Sequence, residues 1–179
     1  LPSAPTPAAL ETEWRRRFSA FTVLTTIVLI SWGGFVTSIN AGMAVPDWPA
    51  SFGSYDPFRT GLPEWWSYTP VLAEHGHRLL GALVGILTTV LAAWTWRADP
   101  RPWMRWLGVG ALLLVIVQGV LGGVRVTENS IALAAVHACT AQVFFALLVA
   151  MTLFTSETWM RTRDILPSSD RTETFRKLA

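Results

Sequence analysis

Charged residues are scarce in this chain, and their scarcity argues against a soluble fold. Only 15% of the 179 residues are Asp, Glu, Lys or Arg, while 51% are hydrophobic; a soluble domain carries about 25% charged residues. Cysteine is nearly absent too. The single thiol, Cys139, excludes an intrachain disulfide and is interpreted as small apolar filler. The net charge of +2 forms no basic face, so we expect no nucleic-acid partner.

The charges that are present leave four long gaps. The gaps run from Arg17 to Asp47, Arg78 to Arg97, Arg105 to Arg125 and Glu128 to Glu157. Each gap can hold the roughly 20 apolar residues that cross a hydrocarbon core. The sequence therefore predicts an all-α integral membrane protein in the lipid bilayer. We expect a four-transmembrane-helix up-down bundle with spans near 18–38, 72–96, 104–125 and 131–155.

Basic residues predict the orientation. The segments "WRRR" (14–17), "RADPRPWMR" (97–105) and "MRTRD" (160–164) lie at one set of helix ends, whereas the loop 39–71 carries Arg59 alone. The positive-inside rule then places both termini in the cytoplasm, in the plasma (inner) membrane. The expected domains are a disordered tail (1–13), the transmembrane domain (14–160) and a polar tail or linker (161–179).

The loop 39–71 is rich in Gly and Pro but also carries apolar side chains such as Met43, Val45 and Trp48. It either folds onto the top of the bundle or forms a lid over something between the helices. A long loop without structure of its own is usually functional, which favours the lid. A faint repeat accompanies it: "GGFVT" (33–37) and "GGVRVT" (122–127) each end a span and precede a helix with a histidine near its start.

Two histidines are expected at the same depth. If Thr69 and Ser130 cap the second and fourth helices, His77 and His137 each lie about seven residues inside. Two such imidazoles could ligate one metal ion from both sides, and haem is the planar group that fits. The alternative is an ordinary interfacial histidine hydrogen-bonded to a neighbour. Gly81 and Gly85 would leave room for a macrocycle, or would form a helix-packing stripe.

The polar neighbours of His77 have two interpretations each. Glu74 lies one turn away on nearly the same face, where it could transfer protons at the ring edge or be an exposed carboxylate. Arg78 and Arg125 could bind haem propionates or extend to the membrane surface. His75 points about 160° away from His77 on a helix, so it cannot share a metal with it. We expect it to face the headgroups or another helix.

Four segments together resemble the amino-terminal half of the haem A synthase family. They are "AGMAVPDWPASFG" (41–53), "EHGHRLLG" (74–81), "QGVLGGVRV" (118–126) and "VHACTAQVFFALLVA" (136–150). The resemblance covers roughly residues 15–155 and makes 14–160 a haem-binding domain. It implies oxidation of a methyl group of haem O to a formyl group, with water as the oxygen source, giving haem A for terminal oxidases. Glu74 would be the catalytic carboxylate, and His77 and His137 the axial ligands.

One departure from the family pattern is the number of helices. Many members have eight, and the second four hold a b-type haem that is thought to carry electrons. We therefore expect a second copy or a missing carboxy-terminal half as partner, besides haem O and possibly a haem O synthase. The alternatives are a bis-histidine membrane cytochrome that binds haem b for electron transfer without modifying it, and a membrane protein without haem. Replacing Glu74 with Gln distinguishes the enzyme from the cytochrome.

Overall fold

The computed structural model describes residues 7–160, and four long helices make up most of this range. They are α1 (Pro7–Ser38), α2 (Thr69–Ala98), α3 (Pro102–Thr127) and α4 (Ile131–Phe154), with a short 3₁₀ helix (Trp65–Ser67) before α2. Each long helix is long and apolar enough to cross a membrane. Between residues 7 and 160 there is no β-strand, only an isolated bridge between Ser51 and Ser54. The predicted all-α, four-span membrane architecture is confirmed.

The first helix begins earlier than the sequence analysis predicts. Residues 7–13 belong to α1, so the prediction of a disordered tail over 1–13 is wrong for this part. Proline is favoured at a first helical position, which suits a start at Pro7. Farther along, Glu13 forms ion pairs with Arg16 and Arg17, both at 2.7 Å, and such pairs stabilise a helical turn. Residues 1–6 and the predicted polar tail (161–179) lie outside the described residues.

The ends of α2 and α4 follow simple capping chemistry. Tyr68, rather than the expected Thr69, is the N-cap residue of α2, and its side chain makes no capping hydrogen bond; Pro70 lies in the first turn, where its missing N–H costs nothing. Ser130 caps α4 as predicted, because its side chain accepts a hydrogen bond from the Leu133 amide at 3.3 Å. His77 therefore lies nine residues after the N-cap of α2, and His137 seven residues after the N-cap of α4.

The helices pack as an antiparallel four-helix bundle. Each helix contacts its neighbours in the order α1, α2, α3, α4 and back to α1. Among these four described helices, α2 and α4 do not touch, so they lie on one diagonal of the bundle. His77 on α2 and His137 on α4 therefore face each other across the bundle interior rather than across a helix–helix contact.

The larger buried core cluster fills one half of the bundle. It consists of Val84, Leu91, Met104, Ala111, Phe144, Leu148 and Met151. A smaller cluster of Val36, Ala41 and Ala73 lies at the other end. In the other half, no residue of 27–35 on α1, 76–83 on α2 or 131–143 on α4 is buried. This second half is the one that holds His77 and His137. At the depth of the histidines, these stretches of α1, α2 and α4 therefore carry only partly or fully exposed side chains, whereas α3 carries the buried Gln118 and Gly123.

Three arginines surround one carboxylate at the end of the bundle opposite the histidines, which we call the arginine end. The Asp99 carboxylate lies 3.0 Å from Arg15 Nη2 and 2.7 Å from Arg101 Nη2. Arg105 Nε donates to the backbone oxygen of Asp99 at 2.7 Å. Burial alone would raise the pKa of Asp99, but the hydrogen bonds from Arg101 and the charge of Arg15 outweigh it and hold the pKa below its usual range. The group fixes the link between α2 and α3.

Candidate functional site

His77 is held in place by a glycine of the neighbouring helix. A Cβ built on Gly33 of α1 would lie 2.9 Å from His77 Cε1, so the imidazole occupies the space that any larger residue would need. Its Nδ1 is buried and makes no hydrogen bond within 7–160 that meets ordinary distance and angle limits, although the Leu29 carbonyl lies close by. No described residue hydrogen-bonds to Nε2 either. The ring is therefore fixed by packing, and its nitrogens are poorly satisfied by the protein.

His137 packs against a glycine of a neighbouring helix in the same way. A Cβ on Gly122 of α3 would lie 3.3 Å from His137 Cε1. The side-chain amide of Gln118 lies 3.1 Å from His137 Nδ1 and contacts the Thr140 hydroxyl. An amide can donate or accept, so it can pair with Nδ1 in either tautomer. The faint repeat in the sequence thus corresponds to two equivalent glycine–histidine contacts. Gln118 was missed by the sequence analysis, although a buried amide in an otherwise apolar span is a signal of a polar partner.

The two histidines and Arg125 form one electrostatic neighbourhood. His77 is close enough to interact electrostatically with His137 and with Arg125, and His137 also interacts with Arg125. Within residues 7–160, no three His, Cys, Asp or Glu side chains converge as a metal-binding group. The arrangement supplies two imidazoles on diagonal helices. This is suited to a metal held in a macrocycle, which needs only axial ligands from the protein.

Glu74 is buried and hydrogen-bonded on both oxygens. It is only 2% exposed, so the alternative of an exposed carboxylate is wrong. Its Oε2 accepts from the Val45 amide at 2.8 Å, and its Oε1 accepts from Arg78 Nη2 at 3.1 Å. The carboxylate is therefore charge-compensated and fixed in direction, one helical turn before His77.

Arg78 anchors the long loop (residues 39–68) to α2. Its Nη1 donates to the carbonyls of Asp47 at 2.7 Å and Ala50 at 3.2 Å, and its Nη2 donates to Val45 O at 2.7 Å as well as to Glu74. These bonds occupy the four hydrogens of the two Nη atoms, leaving only Nε for another acceptor. The alternative of a side chain extended to the membrane surface is wrong. The predicted propionate contact would have to use Nε alone.

The long loop is folded onto the histidine end of the bundle. The Asp47 carboxylate accepts hydrogen bonds from the amides of Phe52 at 2.8 Å and Gly53 at 2.7 Å. Burial works to raise the pKa of Asp47, but these two amides hold it below the usual range. The indole of Trp48 fills the space beside Gly123 of α3, where a Cβ would overlap the ring. The loop thus bridges α2 and α3 at the histidine end.

His75 faces this loop. Its Nδ1 lies 3.1 Å from Ser51 Oγ, its Nε2 lies 2.9 Å from Pro57 O, and its ring lies 4.6 Å from that of Trp65. The expectation that His75 faces the headgroups or another helix is wrong. The reason is that its partners come from 18 and 24 residues away along the chain, beyond any helical pattern. Both ring nitrogens are occupied, so His75 is a loop anchor.

Most of the N–H donors of Arg125 have no partner among the described residues. Its only hydrogen bond to a described residue runs from Nη2 to Gly42 O at 3.5 Å, and within 7–160 it forms no ion pair. Its guanidinium lies against Gly42, where a Cβ would be 3.2 Å from Nη1. The glycine therefore gives the arginine room beside the two histidines. Of the two predicted propionate ligands, Arg125 is the one whose donors are available.

Four membrane-spanning helices with two seated histidines at one end define a multi-pass membrane protein with a candidate cofactor-binding end. The family model described as "Cytochrome oxidase assembly protein" matches residues 16–179, and the chain belongs to that family.

Curated relatives carry the name "Heme A synthase". That of Shouchella clausii is 31% identical over 140 residues, which cover 76% of this chain and 44% of the relative. That of Alkalihalophilus pseudofirmus is 28% identical over 148 residues, covering 79% and 48%. That of Rhodospirillum centenum is 30% identical over 156 residues, covering 81% and 40%. No solved structure matches. The chain thus spans less than half the length of these relatives, and its resemblance to the haem A synthase family is confirmed.

Proposed function

We propose that this chain binds haem O at the histidine end and takes part in oxidising its methyl group to the formyl group of haem A. The observation that carries the proposal is the placement of His77 and His137 on diagonal helices, each packed against a glycine of a neighbouring helix. The similarity to proteins named "Heme A synthase" supports it independently.

The residues present fit a haem. Added Cβ atoms on Gly81 and Gly85 would meet nothing within 4 Å, so α2 leaves open space beyond His77. His77 and His137 would be the axial ligands, and Arg125 would bind a propionate with its unused donors. The bound haem supplies the reacting methyl group and the iron between the two imidazoles. The protein then has to hold the ring, exclude water and move protons.

Glu74 is the residue we assign to proton transfer. Oxidation of a methyl group to a formyl group with water releases protons together with electrons, so a base near the ring edge helps the reaction. Each Glu74 oxygen accepts one hydrogen bond and keeps a further lone pair. Arg78 acts as a positioning residue, because it fixes both Glu74 and the loop that closes over the histidine end. The loop is thus proposed to be a lid that keeps bulk water away.

Location and partners are part of the same proposal. The basic segments place both termini in the cytoplasm and the long loop on the outer side of the plasma membrane. The electrons released need an acceptor, and we propose that a second four-helix unit supplies it, either a second copy or a carboxy-terminal half. Haem O would come from a haem O synthase in the same membrane.

The test is a Glu74→Gln variant, which keeps the size of the side chain and one acceptor oxygen but cannot accept a proton at neutral pH. The protein would be expressed in a host that makes haem O, purified in detergent, and its haem extracted and identified by chromatography. We expect the variant to retain haem O and to lose haem A. Glu64→Gln, an exposed carboxylate in the same loop region, is the matched control and should behave like the unaltered chain. If the unaltered chain holds only haem b and never haem O, the protein is an electron-transfer cytochrome and the proposal fails.

A further inference from the structure

A cavity of about 710 Å³ opens at the arginine end, far from the histidines. Its lining includes Arg15, Asp99, Arg101, Trp103 and Met160. It lies where α2 ends and α3 begins, so it is at the level where the membrane spans meet the headgroups. Neither the haem chemistry nor the lid uses any of these residues.

Arg15 is the unusual member of this lining. It is only 4% exposed, and one of its nitrogens, Nη2, pairs with Asp99 at 3.0 Å. Its Nε and Nη1 are buried and have no hydrogen-bond partner within the described part of the chain. A guanidinium is almost never buried with unused donors, because its desolvation is compensated only by hydrogen bonds or an anion. Three N–H hydrogens, one on Nε and two on Nη1, are thus without a partner in a residue that lines the cavity.

The net charge of the side chains at the arginine end also favours an anionic ligand. Asp99 pairs with Arg15 and Arg101, Glu11 lies near Arg15, and Arg105 binds the backbone oxygen of Asp99, so these three guanidinium groups outnumber these two carboxylates by one. Arg101 is already committed to Asp99 and to the Phe154 carbonyl at 2.9 Å, so it is not a source of free donors. The positive end of α3 adds to the field, and no side chain caps it.

We propose that this cavity binds the phosphate group of an anionic phospholipid headgroup. Phosphate is the anion that a planar guanidinium fork recognises best. A lipid is favoured over a free phosphate ion because the lining also carries Trp103 and Met160, and Trp103 is 42% exposed at a helix end, as in an interfacial aromatic belt. Basic pockets between membrane helices are known to hold such headgroups.

The experiment measures lipid binding to the full chain after delipidation in a neutral detergent. Native mass spectrometry and the thermal unfolding midpoint would be recorded with phosphatidylglycerol, phosphatidylcholine or inorganic phosphate. We expect phosphatidylglycerol to bind about tenfold more tightly than phosphatidylcholine and to raise the midpoint, and inorganic phosphate to do neither.

Two variants of Arg15 and one control decide which residue is responsible. Arg15→Gln should weaken phosphatidylglycerol binding about tenfold, because one charge-assisted hydrogen bond is lost. Arg15→Lys keeps the ion pair with Asp99 but lacks the fork, so it should also lose the preference, and it serves if Arg15→Gln does not fold. Arg17→Gln removes the same charge from an exposed position on α1 and should bind like the unaltered chain.

Three results would overturn the proposal. The first is equal affinity for phosphatidylglycerol and phosphatidylcholine. The second is unchanged phosphatidylglycerol binding in both Arg15 variants, which would place any lipid elsewhere. The third is full stabilisation by inorganic phosphate together with displacement of the lipid, which would make the cavity a site for a soluble anion.

Discussion

Replacing Gly33 with Ala tests the seating of His77 most sharply. The added methyl carbon would lie 2.9 Å from His77 Cε1, whereas carbon atoms pack best at about 3.5–4.0 Å. Because Gly33 lies within helix α1, the imidazole has to move by roughly 0.6–1 Å. Overpacking of this kind costs about 1–3 kcal/mol. The better helix propensity of Ala returns about 1 kcal/mol, so the net loss of stability is modest.

The loss of haem should be larger than the loss of stability. If His77 and His137 hold one haem as proposed, a displacement of the His77 imidazole by this distance would weaken its bond to the iron. The assay is the amount of haem per purified protein, together with the temperature at which the haem is released. Gly34→Ala is the matched control, because its added Cβ meets nothing within 4 Å and it gains the same helix propensity. We expect Gly34→Ala to retain full haem and Gly33→Ala to lose most of it.

Replacing Gly122, which packs against His137, with Ala is the same test with a smaller steric overlap. A Cβ on Gly122 would lie 3.3 Å from His137 Cε1, which a small shift can relieve, so Gly122→Ala should lose less haem than Gly33→Ala. Gly119→Ala, with nothing within 4 Å, is its control. Equal haem content in Gly33→Ala and Gly34→Ala, or a larger loss in Gly122→Ala than in Gly33→Ala, would refute the reasoning.

Three further predictions follow from the polar contacts. Glu74→Gln should abolish conversion of haem O while haem binding, read from the absorbance spectrum, persists. Arg78→Lys should increase the rate of proteolysis within residues 39–68 about tenfold, because the three donors on the single lysine nitrogen cannot replace the four that two Arg78 nitrogens give to three loop carbonyls and Glu74; α-helical content measured by circular dichroism should not change. Asp99 has a folded pKa below its unfolded value of about 3.9. The stability it contributes is therefore complete above that value and is lost as the pH falls through the folded pKa. Thermal unfolding should show this acid-dependent loss, and Asp99→Asn should remove it while lowering stability by about 3–5 kcal/mol, since buried arginines are left unpaired; an unchanged acid profile in Asp99→Asn would contradict the assignment.

The helices were predictable because a membrane imposes a strong and local rule. A charge in a span is expensive, so gaps between charges mark the spans without knowledge of packing. The Ser130 cap followed from equally local chemistry. The start of α1 was missed because residues 7–13 are too polar for a hydrophobicity rule, although they extend the helix beyond the apolar span.

The polar contacts at the histidine end were beyond reach of the sequence because they are long-range. Arg78 binds backbone carbonyls about 30 residues earlier in the chain, and a backbone carbonyl has no residue type to recognise. His75 likewise pairs with a loop whose path no periodicity predicts. That His77 and His137 lie in the first turns of α2 and α4 could be predicted from local helix signals. Their glycine seats required the neighbouring helices to be in place.

The central claim, that His77 and His137 hold one haem across the bundle diagonal, is tested most directly by optical and electron paramagnetic resonance spectra of the purified, haem-loaded protein. The unaltered chain should show low-spin, bis-histidine haem. Both His77→Ala and His137→Ala should lose that signature, while His75→Ala, whose two nitrogens bind the loop, should keep it. Retention of the bis-histidine signature in either His77→Ala or His137→Ala would contradict the account.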